Sequence, residues 1–327
     1  MSGASVARAE LPRTVSQSAR PQLSGRIFVL TNAQGNLITV AVEPSKKTAQ
    51  KFFPGNSALA RISPDGKRIA ASRFEHGKPP RSIDLIVVDR DEKTAPVKIF
   101  DGEAFAIGWS RDSAEMLVVK QSSSKEYDLW RVAADGSRKT RLGVDHSKGY
   151  GGDWSPDGNW VLAYPELPRR DPHGLPDHSV VLFHPDGTGK RELLASMSPV
   201  SGLGGHILAW PGNGRFSPDG KQVYFVHHHF VDDHAEPRSS KSSAVLLLDV
   251  KGGKPRRILE RTKGDHIEDV LMSPDGKSFV VVIYDKPMVP YQDVHSAHLE
   301  ILDFEGRLLE TIRLPEISKT VDLLDWR

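Results

Sequence analysis

Four segments of this chain repeat one core: Ile62-Ser63-Pro64-Asp65-Gly66-Lys67, Trp154-Ser155-Pro156-Asp157-Gly158, Phe216-Ser217-Pro218-Asp219-Gly220-Lys221 and Met272-Ser273-Pro274-Asp275-Gly276-Lys277. A degenerate copy reads Trp109-Ser110-Arg111-Asp112-Ser113, and a sixth anchor, Trp326, stands next to the C-terminal Arg327. Counting from the large apolar residue before Ser, the anchors fall at 62, 109, 154, 216, 272 and 326, with gaps of 47, 45, 62, 56 and 54. A period of this length marks a stacked or radial repeat architecture, in which each unit buries its apolar faces only against its neighbours.

Each anchor opens the same script. Pro presets φ and Gly tolerates a positive φ, so Ser-Pro-Asp-Gly reads as a turn. An apolar run follows, such as Met116-Leu117-Val118-Val119 or Phe279-Val280-Val281-Val282-Ile283, and after a loop a second run such as Val245-Leu246-Leu247-Leu248-Asp249. A further turn and a short fourth run complete four strands per unit. Several runs are apolar at consecutive positions, which predicts strands covered on both faces rather than the alternation of a half-exposed sheet. The expected fold is therefore all-β: a six-bladed β-propeller of four-stranded antiparallel blades.

The core Ser-Pro-Asp-Gly-Lys after an aromatic or aliphatic residue resembles the TolB-type propeller repeat, which is similar in architecture to WD repeats. The resemblance runs from about residue 25 to 327. The terminal Val321-Asp322-Leu323-Leu324-Asp325-Trp326 fits only an innermost strand, and Arg26–Leu30, Asn36–Val42 and Ala49–Phe53 supply the other three. One blade then joins both chain ends and closes the ring, removing the exposed edges. Residues 1–24, rich in Ser, Ala, Arg and Pro, are expected to form a disordered tail ahead of a propeller spanning 25–327.

Composition excludes several classes. The net charge is +2 from 44 basic and 42 acidic residues, with the basic ones scattered, so no stripe exists for a nucleic-acid backbone. There is no cysteine, hence no disulfide, zinc–thiolate site or thiol nucleophile. No apolar stretch is long enough to span a bilayer. The first residues lack an apolar core, so they are not an intact secretory signal and the chain reads as cytoplasmic; the resemblance implies a periplasmic location if a signal has been removed.

Blade topology puts the Ser-Pro-Asp-Gly turns on one face and the long insertions on the other. Those insertions are Pro165–His178, Met197–Arg215, His227–Lys241 and Asp285–His298, in or leading into blades three to five. Twelve of the 13 histidines fall on that long-loop side, His184 being the exception. Long loops on a rigid scaffold commonly carry binding residues. The candidate binding face is His146, Asp153, Arg169, His173, His206, His227, His229, His234, His266, Glu268, Asp269, His295 and His298. Within it His227, His229, Asp232 and His234 form a candidate divalent-metal set, since alternate strand residues share a side. Solvated or loop-ordering histidines explain the same cluster. Asp153, Glu268, Asp269 and Asp322 lie near the axis, as an acid–base pair or as the lining of a solvated channel.

No Gly-x-Ser-x-Gly elbow and no P-loop is present, which favours a binding propeller for a protein, small-molecule or glycan partner over an enzyme. The competing reading is a metal-assisted lyase or hydrolase of a carbohydrate or other acidic substrate. Oligogalacturonate lyases, similar to TolB-type propellers, carry a histidine-based metal site.

Overall fold

The structure, a computed structural model, describes residues 25–33, 36–53, 57–74, 83–90, 94–122, 127–145, 152–170, 176–195, 212–233, 236–262, 265–285, 296–317 and 320–327. Six four-stranded antiparallel sheets are arranged as the six blades of a propeller. Their innermost strands are Ser57–Ile62, Ala104–Trp109, Asp153–Trp154, Gly212–Phe216, His266–Met272 and Thr320–Trp326, in blades one to six. Blade six closes the ring as expected: Thr320–Trp326 pairs with Ile27–Ala33, which pairs with Asn36–Glu43 and then Thr48–Phe53. The expected N-terminal tail lies outside the described residues.

The consecutive apolar runs do what two-sided burial requires. Six buried clusters occupy six seams, each built from two neighbouring blades. One joins Phe28 and Leu324 of blade six to Ile62 and Val88 of blade one. Another joins Leu162 and Tyr164 of blade three to Phe225 and Leu246 of blade four. Trp109, Trp154 and Trp326 are each at most 7% exposed, so the anchors are core residues.

The repeated turn owes its sequence to a local hydrogen-bond set. In blade four, Ser217 Oγ donates to Asp219 Oδ1 at 2.7 Å and accepts the Gln222 amide at 3.0 Å, while Asp219 Oδ1 accepts the Lys221 amide at 3.1 Å. The turns of blades one, two, three and five repeat this pattern. The final Gly sits at φ between 70° and 77° in four of these turns, where only Gly is at ease.

Two of the expected loops carry strands. Glu166–Arg170 pairs with Pro176–His178 as a separate ribbon in the blade-three insertion. In blade four, Gln222–Asp233 and Glu236–Asp249 form one long hairpin, so the His227–His229 run lies on a strand of 12 residues. Extending both strands satisfies the backbone groups that an irregular loop would leave to solvent.

Candidate functional site

The position just before each anchor contributes to one shared cavity. Around the ring it holds Arg61, Gly108, Asp153, Arg215, Leu271 and Asp325, all lining one cavity of about 640 Å³ at the mouth where the Ser-Pro-Asp-Gly turns lie. The four turn prolines line its rim. At position 108 a side chain has little room, since a Cβ would meet the Trp154 amide nitrogen at 3.2 Å and Asp153 Oδ1 at 3.4 Å.

Every carboxylate in this lining already holds backbone donors or its own turn. Asp153 Oδ1 accepts the Trp154 amide at 2.8 Å, and its Oδ2 accepts the Phe216 amide of the next blade at 2.9 Å. Asp325 accepts the Trp326 amide at 2.9 Å and pairs with Arg327. Deeper along the axis, Asp269 repeats the stitch: its Oδ1 accepts the Val270 amide and its Oδ2 the Leu323 amide of blade six, both at 2.8 Å. Arg215 reaches from blade four to the closing strand, donating to Leu323 O at 2.8 Å and Leu324 O at 3.2 Å.

Burial pushes the carboxyls of Asp153 and Asp269 above the usual range, with the Arg215 charge and the two backbone donors each opposing it. The converse holds for Arg215: burial disfavours its charge, but Asp269 and other neighbours outweigh that and raise it. Asp153 and Arg215 keep partial access through the cavity, whereas Asp269 is 1% exposed. Tyr164 is fully buried beneath them, its hydroxyl occupying the space a Cβ on Gly214 would need. Burial first, then the Asp153 charge, raises its phenol well above the ordinary value.

The sequence-predicted residues are placed unevenly. His146, His173, His206, His234 and His295 lie outside the described residues. Arg169, His229 and Asp232 lie on strands described through their backbone alone. Asp153 belongs to the short-turn mouth, not to the long-loop face on which it was expected, because it directly precedes the anchor Trp154 at the end of the inner strand that runs into the turn. Asp153 lines the cavity and Asp269 lies buried deeper, and each ties its own blade to the next through a backbone amide. His227, His266 and His298 are at most 3% exposed, so these imidazoles are interior groups rather than solvated ones. His266 Nε2 stands 3.4 Å from Glu268 Oε2. His298 is held between Asp285, 2.9 Å from Nδ1, and Glu300, 3.6 Å from Nε2. Among the described residues no three His, Asp or Glu side chains converge as a metal-binding group. Of the metal set, only His227 has a described side chain.

Sequence reasoning missed Arg61, Arg111, Arg215 and Asp325. Aligning the repeats on their anchors and reading the preceding position would have found three of them. The fourth, Arg111, stands where four other turns have Pro.

No family model matches the chain. An uncharacterized protein of Agrobacterium fabrum, Atu1656, is 24% identical over 270 residues, covering 79% of this chain and 81% of that protein. Among solved structures, TolB from Acinetobacter baumannii superposes with a TM-score of 0.60 at 17% identity, over 92% of this chain and 66% of that one. A protein from Agrobacterium tumefaciens provisionally named TolB gives 0.57 at 16%, over 88% and 90%. An oligogalacturonate lyase in complex with manganese gives 0.52 at 14%, over 89% and 74%. With its six closed blades and its Ser-Pro-Asp-Gly turns, the chain has the propeller fold of TolB-type proteins.

Proposed function

We infer that this is a binding propeller whose partner, a protein segment or small ligand, enters the axial cavity at the short-turn mouth. The observation that carries this is the cavity itself: about 640 Å³, with charged side chains converging on a rigid ring. That size is in the range of small-molecule sites, and the fold holds its walls fixed. The carboxylates serve the architecture, which favours recognition over acid–base chemistry. The fold kinship with an oligogalacturonate lyase supports the metal-assisted reading only as analogy, since one propeller scaffold hosts both binding proteins and enzymes.

Melting-temperature shifts across a library of peptides, sugars and metabolites test this reading on three proteins: the parent, Pro218→Trp and His229→Ala/His234→Ala. Pro218 is an exposed residue of the cavity rim, so Trp there narrows the entrance. The expected result is that hits persist in the double histidine variant and vanish in Pro218→Trp. Hits lost only in the histidine variant would instead place binding on the long-loop face.

A further inference from the structure

Blade two breaks the rule that the other turns keep. Its turn reads Ser-Arg-Asp-Ser, so Arg111 replaces the rim proline and Ser113 replaces the glycine. The backbone nevertheless follows the same path. The Ser113 amide donates to Ser110 O at 2.8 Å, as the Gly66 amide does to Ser63 O, and Ser113 takes φ 61°. A left-handed serine is strained by roughly 1 kcal/mol. Contacts to blade one hold it there: Ser113 Oγ accepts the Asp65 amide at 3.1 Å, and its carbonyl accepts Arg68 Nη2 at 2.5 Å. The irregular turn is thus braced, and it presents an exposed arginine at the cavity rim.

Arg111 has no hydrogen-bond or ion-pair partner among the described residues. Among the described residues Arg215, deeper in the same cavity, has no carboxylate within salt-bridge distance, and its Nε is buried without a hydrogen-bond partner. The cavity carboxylates, by contrast, are bound to backbone amides, turn hydroxyls or Arg327. The guanidinium groups of Arg111 and Arg215 thus keep donor capacity that nothing among the described residues takes up.

Resting on the binding reading above, we propose that the cavity takes a carboxylate-bearing ligand, with Arg111 as the specificity residue that meets its acid group at the rim. Guanidinium offers the planar, two-pronged donor set that a carboxylate matches. The walls beside it, prolines and the edges of Ile62, Trp109 and Phe216, suit a ligand with apolar parts. A free peptide C-terminus and a sugar acid share the chemistry, and the test separates them.

Tryptophan fluorescence reads binding, because Trp109, Trp154 and Trp326 line the cavity. The probes are N-acetyl tetrapeptides with a free or an amidated C-terminus, and a uronic-acid trisaccharide, titrated into the full chain. Arg111→Pro restores the turn of the other blades and removes no backbone hydrogen bond; Arg111→Lys keeps the charge but loses the fork. The free acid of one probe class should bind, with Kd raised about tenfold or more by Arg111→Pro, the size of one charge-assisted contact. Arg111→Lys should lie between, and amidation should reproduce the Arg111→Pro loss. Whichever class binds identifies the source of the acid. Equal binding of acid and amide, indifference to Arg111→Pro, or no binding of either class would overturn the proposal. If a neutral library ligand still binds the parent and fails on Pro218→Trp, the binding reading survives that result and only the carboxylate assignment falls.

Discussion

Aspartates at the rim and aspartates on the axis do opposite things with the same side chain. Those of the turns, Asp112, Asp157, Asp219 and Asp275, are held below the usual carboxylate range first by the serine hydroxyl two residues earlier, then chiefly by backbone donors. Asp65 is lowered too: burial is the largest single influence on it and raises it, but the Ser63 hydroxyl, the Lys67 amide and nearby cations together outweigh that. Asp153 and Asp269 receive two backbone amides each, yet burial pushes them up. The difference is solvent: a rim carboxylate keeps most of its hydration and adds hydrogen bonds, whereas an axial one gives up hydration to gain them. What the axial pair secures is register between blades, since each takes the amide of a neighbouring blade's inner strand.

That contrast breaks most visibly at the closing strand. Deleting residues 321–327 removes the Leu323 amide from Asp269 and the two carbonyls from Arg215, and it opens the ring. The truncated chain should aggregate or lose cooperative melting; a monomer that melts like the parent would contradict closure by this strand. Trp326→Ala, with the anchor 5% exposed, should cost about 3–5 kcal/mol in denaturant melts, and a loss below about 1 kcal/mol would show that the ring is not a packed anchor.

Asp269→Asn should cost about 1–3 kcal/mol, because an amide offers one acceptor oxygen where two buried amides need partners. Asp153→Asn, open to the cavity, should cost less, and urea melts of both variants order them. Equal losses would mean that depth does not separate the two sites. Ser217→Ala, which removes the donor to Asp219 and the acceptor for the Gln222 amide, should cost about 1 kcal/mol by the same measurement.

Stability against pH sharpens the contrast most finely. The turn aspartates have lowered folded pKa values, so their contribution is present above the unfolded value of about 3.9 and is lost as pH falls through the folded one. The axial pair has raised values, so its contribution is full below about 3.9 and declines as pH rises through the folded value. Urea melts from pH 3 to 8 should therefore show the parent losing stability on acidification through its turns. Asp269→Asn should lose less stability than the parent as pH rises above about 4. The same slope in parent and variant would remove Asp269 from the titration.

Most of the architecture was legible because it is written locally and repeated, four times intact and once in degenerate form. The turn needs Ser, Pro, Asp and Gly at fixed places, and two-sided burial needs consecutive apolar residues, so both leave a pattern in the chain. Closure by Val321–Trp326 followed from counting strands. The site was less legible. Histidine clustering drew attention to the long-loop side, but His227, His266 and His298 proved to be interior groups, and burial is set by packing partners remote in sequence. Arg215 meets Leu323 across the axis from 108 residues away, a relation that no local pattern carries. Arg111 was visible all along as a departure from the repeat. Its meaning depends on knowing that the departing position faces a cavity.

Recognition at the short-turn mouth is the proposal that the cavity carries. Hydrogen–deuterium exchange of the full chain, with and without a ligand that raises its melting temperature, tests it most directly. Slowed exchange is expected in the rim turns, residues 63–68, 110–115, 155–160 and 217–222, with the 166–178 and 227–241 segments unchanged. Protection confined to those two segments, with the rim turns exchanging as before, would contradict it.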